Sequence, residues 1–239
     1  MKDFDFNQTQ LQDIAADSAT SQAAQEAALE SHLAALQDRL RELSDSTETT
    51  ELTSVQLEIS RTLVALGRGE EAWPIARGLF DPYIQAGDWN AAADCCNLLF
   101  LAEQPASLSA LGQGIWLAVT YPSVDTGLAV SLLEHVVDET PSDSDGAAVA
   151  AAVAMFLVDL RTVGQERENL GFFVGQMLGR VAREHSEVET QEAFDRWMDR
   201  LELNDPDKFL PRLRNVVDVL VQDDWWFDRE ALQTRLPIN

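Results

Sequence analysis

Lysine is nearly absent from this chain. Of 17 basic side chains only Lys2 and Lys208 are lysines, against 41 acidic ones, and the formal net charge is −24. A nucleic-acid surface needs a basic patch that releases counterions, and an anionic membrane surface attracts the same sign of charge. Neither is expected as a partner. Cysteine is confined to Cys95 and Cys96. Adjacent on a predicted helix, they cannot easily bridge, and they make no disulfide framework. Two buried small side chains are the simpler reading. The three histidines, His32, His135 and His185, fall on separate predicted helices, and none follows a carboxylate by three residues. The sequence holds no Gly-rich phosphate loop, nucleophile elbow, His-Glu-x-x-His or cysteine metal spacing. No metal, cofactor or catalytic residue is therefore expected, although a desolvated carboxylate pair would reopen the enzyme reading. Long apolar runs are also missing. The longest, 147–158, has 12 residues, where a membrane span needs about 20. The opening Met1-Lys2-Asp3-Phe4-Asp5 has neither the basic nor the apolar region of a signal peptide, so a cytoplasmic location is expected.

What is present is helix. Hydrophobic residues make up 46% of the chain, enough for a globular core, and they recur at helical spacing. The organising stretch is 52–105. Thr53 and Gln56 have the spacing of a capping box, with Leu52 and Leu57 placed as its staple. Val55, Ile59, Leu63 and Leu66 then form one apolar face, and Gly67 suits the residue past a helix end. A second corner comes at 86–89, where Asp88 suits an N-cap. Ala91, Ala92, Cys95, Cys96 and Leu99 continue as helix, and Pro105 closes the unit.

These corners resemble those of the tetratricopeptide repeat, a family that pairs two helices in about 34 residues. The segment 87–93 (Gly-Asp-Trp-Asn-Ala-Ala-Ala) looks like its inter-helix corner. Leu79, Phe80 and Tyr83 look like its first-helix bulky positions. Leu66-Gly67 with Glu70-Glu71-Ala72 resembles a second corner, and Ala129, Leu133, Val136 and Pro141 have its second-helix spacing. The match spans roughly 55–141 and is degenerate. Gly67 and Gly87 are 20 residues apart, and Asp81-Pro82 should interrupt the helix that carries them. The resemblance implies an all-α, right-handed helical solenoid of about nine to ten helices that binds peptides or helices in a groove.

Around that centre, residues 1–20 read as a flexible acidic tail. Within 21–44, Leu29, Leu33, Leu36, Leu40 and Leu43 alternate in steps of four and three, a heptad seam. It either docks on the first repeat helix or makes a dimer contact. Three regions result: 1–50, 51–141 and 146–239, the last two separated by the Pro-Ser-Asp-Ser-Asp-Gly loop. Ser107 is expected to cap one helix, and Ser186 with Glu189 another. The Ala-rich 146–163 should be a central helix. Gly171, Gly175 and Gly179 come next, on one face of the succeeding helix. They read first as a close-packing stripe against that Ala-rich helix, and second as a partner's groove. Trp225, Trp226 and Phe227 are either a terminal cap or a partner-binding patch, since three successive aromatics cannot all face one core from a helix and such residues are enriched at interfaces. The function expected is a non-catalytic protein-interaction module, an adaptor or assembly chaperone for a larger bacterial-type complex. The alternative is a structural subunit that self-associates through the leucine seam.

Overall fold

A computed structural model describes residues 8–43 and 49–235, with side chains from residue 21 onward except at 49. Among the described residues there are eleven helices and no strand: α1 (Gln8–Leu43), α2 (Thr49–Ala65), α3 (Gly69–Ala86), α4 (Trp89–Leu101), α5 (Ser107–Thr120), α6 (Thr126–Glu139), α7 (Asp145–Arg161), α8 (Gly164–Ser186), α9 (Gln191–Arg200), α10 (Pro206–Val221) and α11 (Arg229–Gln233). From α1 to α9 each helix packs on the next, so the fold is an all-α, solenoid-like stack. The even-numbered helices α2, α4, α6 and α8 also touch one another in series. They form one layer. α10 leaves the sequential order and lies across α5 and α7 on the other side.

The corners arise from local chemistry. Gly67 (φ +70°) and Gly87 (φ +73°) take the left-handed conformation past α2 and α3. At both, two hydrogen bonds close the helix end: Arg68 N–H to the Leu63 carbonyl and Gly67 N–H to Val64, then Asp88 N–H to Tyr83 and Gly87 N–H to Ile84. This is the Schellman arrangement, which satisfies the last carbonyls of a helix. Asp88 then caps α4 by accepting from Ala91 N–H at 3.0 Å. Asp125, Ser144, Thr190, Asp205 and Asp228 cap later helices in the same way.

Several expectations are corrected. α1 begins at Gln8, well before residue 21, so 8–20 is helix rather than tail. Its alanines are the best helix formers. Of the expected tail, residues 1–7 lie outside the described residues. α2 begins at Thr49, ahead of the expected capping box, and the Thr53 hydroxyl instead donates to the Thr50 carbonyl. α3 runs through both Pro74 and Pro82. Pro74, Gly78 and Pro82 lie four apart on its exposed face, so the carbonyls that lose a partner face solvent. Ser107 does not cap α5. Its hydroxyl donates to the Leu99 carbonyl and accepts from Gln104 N–H, each at 2.8 Å, and so locks the α4–α5 corner. Thr190, not Ser186, caps α9.

One core runs from Leu79 to Leu232, through both sides of the loop between α6 and α7. That loop therefore divides no cores. α7 is its centre: Ala147, Ala148, Ala150, Ala151 and Ala154 are all buried. A smaller cluster joins α1 to α2, with Leu33 against Val55, Ile59, Leu63 and Ala72.

Candidate functional site

The three glycines of α8 do not pack against α7. α8 buries Val174, Met177, Leu178, Val181 and Ala182, and the glycines lie off that face. A Cβ built at Gly171 would meet nothing within 4 Å. At Gly175 the nearest atom is Met155 Cε at 3.9 Å, and at Gly179 it is Arg183 Nη1 at 3.5 Å. This overturns the close-packing expectation. Close approach occurs elsewhere, at glycines in α3 and α5. A Cβ at Gly69 would lie 2.1 Å from the Ala102 carbonyl oxygen, at Gly112 2.5 Å from Val221 Cγ2, and at Gly114 2.8 Å from Cys96 Cβ. Gly112 admits α10 to α5 and Gly114 admits α4.

Instead, Gly175 and Gly179 line a surface trough of about 580 Å³ between α8 and α9. Its apolar walls are Met155, Leu178, Val188, Phe194 and Met198, and Arg183 and Glu189 stand at its edge. Phe172 precedes Gly175 by three residues, one helical turn, and is 71% exposed. Leu160 and Val163 at the α7–α8 corner are exposed as well. Small residues, flexible methionines and a phenylalanine give an adaptable apolar surface.

Behind the trough a polar network ties four helices together. His185 Nε2 faces Asp145 Oδ1 at 3.1 Å, Arg212 donates to Asp145 Oδ2 at 2.8 Å, Trp197 Nε1 donates to His185 Nδ1 at 3.3 Å, and Arg200 donates to the Ser186 hydroxyl at 2.8 Å. The N-terminus of α7 is thus fixed to α8 and α10, and α9 to the end of α8.

Trp225, Trp226 and Phe227 fold inward over α3 and α5. Trp226 meets Phe80 edge-on at 5.3 Å, and Phe227 lies 5.1 Å from Trp116. The Arg77 guanidinium sits 4.3 Å from the Trp226 ring and that of Arg229 4.1 Å from Trp225, distances at which cation–π attraction operates. All three aromatics are half-buried. Gln113 and Ser109 of α5, which sequence reasoning missed, hold this segment by its main chain.

The leucine seam faces α2. Leu33 is buried, and Leu36, Leu40 and Leu43 pack against the same cluster. Leu29 is half-exposed beside Leu66 and Gly67. Residues 21–28 are exposed throughout. The seam and the aromatic trio lie at separate places in the fold and make no common site. Neither borders the trough.

Comparison with protein families, with characterised proteins and with solved structures finds no match. Among the described residues no three His, Cys, Asp or Glu side chains could together hold a metal ion, and no helix is long and apolar enough to cross a membrane. Cys95 and Cys96 are buried and free. Burial pushes both thiols far above their ordinary range, which disfavours the nucleophilic thiolate. Asp94 is raised by burial even though Arg61 pairs with it. That pair links α2 to α4.

Proposed function

We propose that this protein is a non-catalytic, tetratricopeptide-like interaction module that takes an amphipathic helix of a partner protein into the α8–α9 trough. The observation that carries the reading is the open floor of the trough at Gly175 and Gly179, where an added Cβ would meet only the ends of two flexible side chains, Met155 Cε at 3.9 Å and Arg183 Nη1 at 3.5 Å. Each glycine costs a helix interior about 1 kcal/mol relative to alanine, and among the described residues no backbone of a neighbouring helix packs into the room it creates. A helix laid on such a floor can approach closely, with its apolar side chains against Met155, Phe194 and Met198. The net charge of −24 favours a partner helix with basic flanks. An adaptor or assembly-chaperone role is the biological setting this supports.

The test is a tagged pull-down from native extract with three forms of the protein: wild type, a Gly175→Trp, Gly179→Trp variant that fills the trough, and Leu108→Ser as a surface control. A stoichiometric partner should come down with wild type and control and be lost with the filled trough. Identical partners on all three baits would sink the proposal.

A second reading has one observation in its favour. α1 has 36 residues and α2 has 17, so at 1.5 Å per residue α1 is longer by roughly 28 Å. Its exposed residues 21–28 could join a second copy. Sedimentation of wild type against a chain lacking residues 1–28 would reveal such a dimer.

A further inference from the structure

Gln222, just past the end of α10, adopts φ 54° and ψ −123°. The Asp224 N–H donates to the Val221 carbonyl at 3.0 Å, closing a four-residue turn with Gln222 second. This is a type II′ turn, whose second position belongs to glycine because a side chain there crowds the backbone. A glutamine held in that conformation is strained. The strain lies at the hinge between α10 and the C-terminal segment.

Residues 223–235 form a strap laid over α5 and α3. Gln113, fully buried in α5, grips its main chain with both ends of one amide. Nε2 donates to the Asp224 carbonyl at 3.3 Å, and Oε1 accepts from the Trp226 N–H at 2.9 Å. Ser109, one turn earlier, donates to the same Asp224 carbonyl at 3.3 Å. Further along, the Tyr121 hydroxyl donates to the Leu232 carbonyl at 2.7 Å. Gln113 and Ser109 bind main-chain atoms of the non-helical stretch 224–226, which any extended segment offers, whereas Tyr121 holds a carbonyl of α11. The side-chain contribution comes from Leu232, buried in the core, from Trp225 beside Trp116, and above all from the adjacent Trp226 and Phe227, seated against Phe80, Trp116 and Arg77. The strap's carboxylates Asp223, Asp224, Asp228 and Glu230 are exposed on a chain of net charge −24. A segment with the same aromatics and no carboxylates would escape that repulsion.

We propose that this face of α5 is a peptide groove held shut by the chain's own C-terminal strap, and that in exchange it takes an extended, neutral or basic segment of a partner protein bearing two adjacent aromatic residues. The groove stands apart from the α8–α9 trough, and neither depends on the other.

The probe is a fluorescent peptide of residues 222–235 with Asp223, Asp224 and Asp228 replaced by asparagine and Glu230 by glutamine. The hosts are full-length proteins. Trp226→Ala, Phe227→Ala releases the strap, and Gln222→Val forbids the hinge conformation while leaving groove and strap anchors intact. Circular dichroism verifies that each host is folded. The peptide should bind the opened hosts and bind wild type about 100-fold more weakly, because the tethered strap competes at high effective concentration. Gln222→Gly, which relaxes the hinge in its closed form, should weaken binding further. Gln113→Leu in an opened host should abolish it. Undiminished binding to Gln113→Leu, or no binding to any folded opened host, would overturn the groove. Tighter binding of the unaltered acidic peptide, or strap-exchanged dimers of wild type, would overturn the partner assignment in favour of a second copy of this chain.

Discussion

Gly112 and Gly175 both sit inside helices, yet they carry opposite predictions. A methyl group at Gly112 collides with Val221 at 2.5 Å, and overpacking of that kind costs about 1–3 kcal/mol. A methyl group at Gly175 finds ordinary contact with Met155 at 3.9 Å and gains about 1 kcal/mol of helix propensity. Urea denaturation should therefore show Gly112→Ala destabilised and Gly175→Ala stabilised. If both shift the same way, the packing assigned to α8 is wrong. His135 offers a pH prediction. Its ring faces Asn97 Oδ1 at 3.0 Å and lies 4.5 Å from Phe100. Burial lowers its pKa, partly opposed by Asp138 and Glu139. Folding thus selects the neutral ring. The stability this contributes is complete above the ordinary value of about 6.5 and is lost as pH falls through the lowered folded value. Between neutral pH and about 5, wild type should lose more of its urea midpoint than His135→Gln does. Equal losses would mean that folding does not shift the ring's titration.

The elements show which signals a sequence carries. Glu202 occupies the left-handed position (φ +53°) after α9, with the Leu203 N–H bonded to Met198 and its own N–H to Asp199. This is the Gly67 corner without the glycine. Glu202→Gly should stabilise the fold by about 1 kcal/mol, read as a shift in urea midpoint. No change would mean that the corner relaxes freely. The comparison explains why Gly67 and Gly87 were legible as corners, whereas the end of α9 carried no such mark. Asp88 was legible as a cap for the same reason: one side chain and one backbone amide decide it. The fate of a proline was less so. Whether Pro82 breaks α3 depends on where the freed carbonyl points, and that is settled by the exposed stripe of Pro74, Gly78 and Pro82. The trough shows the same limit. Spacing placed three glycines on one face of α8, but which face meets α7 is fixed by Val174, Met177 and Val181 acting together. Gln113 was wholly illegible, because its partners are main-chain atoms more than 100 residues further along.

At the scale of the molecule, charge and connectivity matter most. With a net charge of −24, the fold opposes its own repulsion. Raising salt from about 0.01 M to about 1 M shortens the screening length from about 30 Å to about 3 Å, so Tm should rise with sodium chloride in calorimetry. A fall would mean that attractive pairs such as Arg61 with Asp94 outweigh the repulsion. Connectivity has a mechanical consequence. In a plain stack each helix is held by its neighbours, so tension on the ends peels it away one helix at a time. Here α10 and the strap return to the middle of the stack. A tether on the C-terminus therefore loads α5 directly, across the grip of Gln113 and Tyr121. Pulled between its ends, the protein should surrender α1 and α2 in a small early step and the remainder in a single large one.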